Sequence, residues 1–74
     1  MDISELKKQL PAHGINEISK LSGLHIATVN RFFYGGKVKS ETEMKIITAT
    51  TDFFKSEKER KANALKELNE VVNS

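Results

Sequence analysis

Residues 15–39, INEISKLSGLHIATVNRFFYGGKVK, decide the fold of this 74-residue chain. They contain a sharp turn at Ser22-Gly23, because glycine readily takes the left-handed backbone conformation that ends a helix abruptly. Apolar residues flank this turn at helical spacing, and they are Ile18, Leu21, Leu24, Val29 and Phe32. The stretch therefore predicts two short helices that pack against each other across a glycine turn, with Ile18 and Leu21 facing inward.

The bounds of these two helices follow from their capping residues. The helix before the turn is expected to begin near Asn16, a good N-cap residue. The helix after the turn covers roughly residues 25–34 and ends at Gly35. Ser19 and Ser22 are small, so the two helices can approach closely. This packing leaves the other face of the second helix exposed.

A further helix is predicted over about residues 3–10. Asp2 serves as its N-cap, Glu5 completes a capping box, and Pro11 ends the helix. Lys7 and Lys8 within it are expected to be ordinary solvated charges. Its apolar stripe consists of Ile3, Leu6 and Leu10.

The segment from Ser40 onward is also predicted to be helical, with Glu43 completing a second capping box. One side of this helix carries Met44, Ile47 and Thr51, flanked by Ile46 and Thr50. Residues 48–52 are poor helix formers, and Ser56 with Glu59 is a third possible capping box. The pattern leaves open whether residues 41–72 form one long helix or two.

Aromatic residues are expected to fill the core, together with one valine. The predicted core residues are Val29, Phe32, Phe33, Phe53 and Phe54. The C-terminal region carries only a thin apolar stripe, made of Ala62, Leu65, Leu68 and Val72, with Val71 beside it. The C-terminal helix either lies back on the domain at its far end or pairs with a second copy. A thin stripe of this kind is typical of association between two helices, so a homodimer is expected.

Composition and charge exclude several classes of protein. The chain has no cysteine, which excludes disulfides and thiolate metal sites. His13 and His25 are far apart, so no metal ion and no cofactor are expected. No catalytic cluster of carboxylates with a histidine and no glycine-rich phosphate loop is present, so an enzyme is not expected. No run approaches the about 20 apolar residues that cross a bilayer.

Charge is distributed unevenly along the chain. Residues 1–39 contain six basic and three acidic residues, whereas residues 40–74 contain six basic and seven acidic residues. The first half is therefore the better candidate for a surface that faces a polyanion. The second half is typical of a solvated scaffold or an association surface.

Residues 15–39 resemble the helix-turn-helix of the phage Cro and repressor type, a unit that the lactose-repressor type shares. The segment of residues 22–31 carries most of this resemblance. Its glycine, the apolar residue after it, the pair Thr28-Val29 and Arg31 all stand where the family usually has them. His25 departs from the pattern, because the family usually has serine or threonine there.

The resemblance implies a compact all-α domain of four to five helices with a helix-turn-helix, formed by residues 1–54. Residues 55–74 would form a charged amphipathic helix and a possible dimerisation element. The resemblance further implies a cytoplasmic location, in a bacterial or phage-infected cell.

The same resemblance implies that the exposed face of residues 25–34 reads base edges in the major groove of double-stranded DNA. The implied base-contacting residues are His25, Ile26, Ala27, Asn30 and Arg31. Those better suited to phosphate contacts are Asn16, Thr28, Tyr34, Lys37 and Lys39. Alternative roles remain for some of them: His25 can act only as a helix cap, Ile26 can belong to the core, and Thr28 can bond to its own helix.

The function that follows is sequence-specific regulation of transcription, as a repressor that binds a palindromic operator as a dimer. The alternative is a protein-interaction module, such as an antitoxin or an anti-repressor, that docks partner helices.

Overall fold

The computed structural model describes residues 3–74, which form four α-helices and no strand. The helices are α1 (Ile3–Gln9), α2 (Gly14–Ser22), α3 (Ile26–Phe33) and α4 (Ser40–Val72). The predicted all-α fold is confirmed. Within residues 3–74, none of the helices combines the length and the apolar character that crossing a membrane requires.

The core lies where α2, α3 and the first half of α4 meet, with α1 packed at its edge. Its buried apolar residues are Ile18, Val29, Phe32, Phe33, Ile46, Ala49 and Phe53. Four of the five predicted core residues are confirmed, and the rings of Phe32 and Phe33 meet edge to face at 5.2 Å. The fifth, Phe54, is only half-buried at the rim of the core.

The face of α4 that turns inward is the one that carries Ile46, Thr50 and Phe53. Met44 and Ile47, which the sequence places on the neighbouring apolar side, are 59% and 43% exposed. Two apolar faces lie side by side on this helix, and only the packing of α2 against one of them decides which becomes core.

The start of α2 corrects one prediction. The helix begins at Gly14 rather than near Asn16, so Asn16 is not its N-cap. The Gly14 N–H donates to the Pro11 carbonyl at 2.9 Å, and this tight turn after Pro11 starts the helix two residues early. At the other end of α2, Leu21 is 55% exposed and does not face inward as predicted.

The two capping boxes predicted for α4 are wrong. Lys39 occupies the capping position without a side-chain hydrogen bond, and Ser40 is already the first helical residue. Ser56 and Glu59 lie in the middle of the helix, where no helix begins. The box predicted at Asp2 falls outside the described residues.

The question of one helix or two is answered by α4, which runs without a break through 33 residues. The threonine-rich stretch stays helical because Ala49, Thr50 and the adjoining Phe53 are buried against the core, which outweighs its poor helix propensity. Its hydroxyls bond within the helix. Thr50 Oγ1 donates to the Ile46 carbonyl at 2.7 Å, and Thr51 Oγ1 donates to the Ile47 carbonyl at 3.0 Å. A helix of this length extends about 50 Å, and the molecule is accordingly 53 Å long but only 23 and 18 Å across.

The distal segment of α4, residues 58–72, has no core beneath it. Every one of its residues is exposed. The molecule therefore consists of a small packed domain and a helix that projects from it.

Candidate nucleic-acid interface

The link between α2 and α3 is held by hydrogen bonds on both sides of Gly23. Gly23 has φ +72°, and its N–H donates to the Ser19 carbonyl at 3.0 Å, which closes the end of α2. Ser19 Oγ then donates to the Leu24 carbonyl at 2.6 Å, and the Leu24 N–H donates to Ser22 Oγ at 3.3 Å. The two serines do more than permit close approach, because they fix the chain as it enters α3.

The helix α3 has one buried side and one open side. Val29, Phe32 and Phe33 anchor it in the core. The predicted base-contacting residues lie on the remaining surface: His25, Ile26, Ala27 and Arg31 are exposed and Asn30 is half-buried. Ile26 is thus not a core residue. The arrangement presents amide, guanidinium and methyl groups on one rigid helix.

His25 caps the start of α3. Its Nδ1 accepts a hydrogen bond from the Ala27 N–H at 3.2 Å, in the role that serine or threonine usually plays. A nitrogen that accepts this bond carries no proton, so the neutral ring carries its proton on Nε2. The sequence left capping and DNA contact as alternatives for His25. The two roles are compatible, because Nδ1 accepts the capping bond while the Nε2–H can donate to DNA.

The end of α3 positions Arg31. The Gly35 N–H donates to the Phe32 carbonyl at 3.1 Å and the Gly36 N–H donates to the Arg31 carbonyl at 2.8 Å, the paired bonds of a Schellman motif. A Cβ built on Gly36 would lie 2.5 Å from Arg31 Cγ. The absence of a side chain at Gly36 therefore gives Arg31 the room to lie across the end of α3.

Arg31 belongs to a shallow groove between α3 and the start of α4, which we call the basic groove. Its lining residues are Thr28, Arg31, Lys37, Val38, Lys39 and Thr42. It contains three cationic side chains and no acidic one, and none of the three cations forms an ion pair within residues 3–74. The Thr28 hydroxyl likewise makes no hydrogen bond to its own helix or elsewhere in that range. Four residues predicted from the sequence thus come together here.

Thr42 is a member of the basic groove that the sequence analysis missed. It lies in the first turn of α4, one turn from Lys39, and only the position of that turn relative to α3 brings it into one groove with Arg31. No local pattern in the sequence marks it.

Tyr34 and Asn16 do not line the basic groove. Tyr34 lies beside α1, where Lys7 Nζ is 3.5 Å from the centroid of its ring, in the geometry of a cation–π contact. Lys7 is therefore not the ordinary solvated charge that was expected. Asn16 is exposed in the first turn of α2.

The chain matches none of the protein-family models, curated protein sequences and solved structures with which it was compared.

Proposed function

We propose that the protein binds double-stranded DNA in a sequence-specific manner and represses transcription, with α3 as the helix that enters the major groove. The observation that carries this proposal is the two-sided character of α3. Three large residues lock one side of it in the core, while hydrogen-bonding side chains stand exposed on the other. A helix that is rigid and open in this way is what base readout requires.

The connection between α2 and α3 supports a helix-turn-helix unit. A helix-turn-helix needs a turn stiff enough to hold its second helix at a constant angle. The bonds of Ser19, Ser22 and Gly23 meet that requirement. The first helix of such a unit crosses the DNA backbone, and that is the role we assign to α2.

The side chains on the open side of α3 match the chemistry of base edges. Arg31 can donate two hydrogen bonds to guanine, and Asn30 can both donate to and accept from adenine. Ile26 and Ala27 supply methyl groups that can lie against the methyl group of thymine. His25 can donate from Nε2 to a base or to a phosphate.

The basic groove supports phosphate contacts beside this reading surface. Within residues 3–74, Lys37 and Lys39 form no ion pair and the Thr28 hydroxyl makes no hydrogen bond, so all three can contact phosphate next to Arg31. Such contacts set the orientation of the protein without reading sequence. We assign the same role to Thr42 from its place in the groove, and to Tyr34 and Asn16 from the family resemblance.

Selection of bound DNA from a pool of random duplexes tests the proposal directly. The expected result is one enriched sequence motif, and no enrichment above the input pool would sink the proposal. The Arg31→Ala variant should then bind the enriched site about 5- to 150-fold more weakly, the equivalent of about 1–3 kcal/mol for a bidentate base contact. Lys45→Ala is the control, because Lys45 is an exposed cation on α4 that lies outside the basic groove and should leave affinity unchanged.

A further inference from the structure

The distal segment leaves large apolar side chains in water. Leu65 is 57% exposed, Leu68 is 59% exposed and Val72 is 70% exposed. Burying such side chains is favourable, and a projecting helix within one chain has nothing to bury them against. The distal segment therefore needs a partner.

The exposed apolar residues belong to a regular stripe on α4. The outer stripe, as we call it, is made of Phe54, Lys58, Lys61, Leu65, Leu68 and Val72. Their spacing alternates between four and three residues, which keeps all six on one face of the helix and is the spacing of a two-stranded coiled coil. The stripe is basic in its first half and apolar in its second.

We propose that the outer stripe binds the outer stripe of a second copy of this chain, with the two α4 helices antiparallel and crossing level with Asn63. In this register Phe54 lies opposite Val72 of the second copy, Lys58 opposite its Leu68, and Lys61 opposite its Leu65. Each lysine can pack its methylene stem against a leucine and keep its ammonium group in water.

Charge decides between antiparallel and parallel pairing. In a parallel pair in register, Lys58 would face Lys58 of the second copy and Lys61 would face Lys61, which places four like charges along the interface. The antiparallel pair places no two lysines of the outer stripe opposite each other. The basic half of one stripe meets the apolar half of the other.

Small residues border the outer stripe where the two helices would cross. Ala62 and Ala64 lie on its two sides, next to the crossing point at Asn63, and are small enough for the helices to approach closely there.

Shifting the antiparallel pair by one heptad is unfavourable in either direction. A shift in one direction sets Lys58 opposite Lys61 of the second copy, which places like charges together. A shift in the other direction leaves Phe54 with no residue of the second copy opposite it. The register centred on Asn63 avoids both losses.

The packed domain contributes to the same surface. Leu6 and Gln9 of α1 line a groove together with Phe54, Lys58 and Lys61 of α4. In the proposed register, α4 of the second copy ends beside this groove, at its residue Val72. The tail of each copy therefore docks on the domain of the other.

This pairing deepens the proposed function, because it would supply the two-fold symmetry of a palindromic operator. The residues of α4 that enter the core, centred near Ala49, would lie about 40 Å from their equivalents along the helix axes. Adjacent half-sites on one face of DNA are about 34–36 Å apart. The pairing uses no residue of α3, however, so it can be tested without DNA and can fail or succeed independently of DNA binding.

Disulfide formation tests the orientation and the register, since the wild-type chain has no cysteine to interfere. The variants Lys58→Cys and Leu68→Cys are oxidised in a redox buffer, separately and as an equal mixture, without DNA. We expect disulfide-linked dimers in the mixture alone, joined between positions 58 and 68. Dimers in each separate sample would show parallel pairing, and no dimer in the mixture would show a different register or no pairing. Either result would overturn the proposal.

Sedimentation equilibrium of the full chain tests the surface itself. Leu68→Lys should raise the dissociation constant of the dimer at least about 100-fold, because it removes two leucines from one interface. Asn63→Lys adds the same charge to the same helix but on the opposite face, and it should leave the dimer intact. A monomeric wild-type chain at submillimolar concentration, or equal effects of the two variants, would contradict the assigned face.

Discussion

The helix α3 and the distal segment of α4 both present open faces to solvent, but they differ in what lies behind those faces. Val29, Phe32 and Phe33 hold α3 against the core, and its open side carries groups that form hydrogen bonds. The distal segment has no anchored side, and its open face carries leucine and valine. The two exposed faces therefore suit different kinds of contact. A rigid polar face is suited to reading another molecule, whereas an unsupported apolar face is suited to pairing.

The largest expected effect tests the claim that α3 is anchored and the distal segment is not. Phe32→Ala should cost about 3–5 kcal/mol of folding free energy, a large part of the total for a chain of this size. Leu65→Ala, also a large-to-small change, should cost under about 0.5 kcal/mol in dilute solution, where the copies are separate. Denaturant unfolding followed by circular dichroism measures both. Equal losses would mean that the distal segment packs on its own domain.

The next effect separates two adjacent glycines at the end of α3. Gly35→Ala should lower stability by about 1–2 kcal/mol, because Gly35 has φ +84°, a backbone conformation that is strained for alanine. No atom lies within 4 Å of the added Cβ, so no steric clash adds to this cost. Gly36→Ala should also lower stability, because its Cβ would lie 2.5 Å from Arg31 Cγ and 3.0 Å from the Arg31 carbonyl oxygen. It should in addition push the Arg31 side chain aside and weaken binding to the selected DNA about tenfold. Thermal unfolding and fluorescence anisotropy are measured for each variant. The prediction fails if Gly36→Ala binds the selected DNA as tightly as Gly35→Ala does.

A smaller effect distinguishes the two roles of His25. His25→Ala removes the cap on α3 and should cost about 0.5–1 kcal/mol of stability. It should also weaken binding to the selected DNA. His25→Asn restores a good capping residue but not the imidazole, so stability should return while the preferred DNA sequence changes. If His25→Asn has the DNA affinity and the preferred DNA sequence of the wild type, His25 acts only as the cap of α3.

The smallest effect concerns a single charge in the basic groove. Lys39→Gln should reduce the slope of log binding constant against log salt concentration by about 0.9, the value for one phosphate contact. Lys45→Gln, an exposed lysine of α4 outside the groove, should leave the slope unchanged. Titrations at four or more salt concentrations give the slopes, and an unchanged slope for Lys39→Gln would remove it from the interface.

Local patterns in the sequence were sufficient to predict the turn between α2 and α3 and the buried side of α3, but not the start of α2 or the exposure of Leu21. A glycine that takes a left-handed conformation, two small serines and apolar residues at helical spacing define the turn and the buried side of α3. The residues assigned to DNA contact were predicted from the family resemblance, and four of them meet in the basic groove. Their contact with DNA stays a prediction.

Features that depend on packing between distant elements were not accessible in the same way. Met44 and Ile47 look as suitable for a core as Ile46 does, and only the position of α2 separates them. The contact of Lys7 with Tyr34 and the place of Thr42 depend equally on how helices meet. The capping boxes at Ser40 and Ser56 failed because a serine three residues before a glutamate is also an ordinary sequence inside a continuing helix.

The unbroken course of α4 has a consequence for how such a protein can vary. Each residue inserted between Phe54 and the distal segment would turn the outer stripe by about 100° around the helix and move it by about 1.5 Å. Only insertions or deletions of about seven residues would keep the stripe in phase with the packed domain. Each such step would change the separation of the two domains by about 21 Å. In the proposed dimer, the spacing between the two packed domains would therefore change in steps of about 21 Å and not continuously.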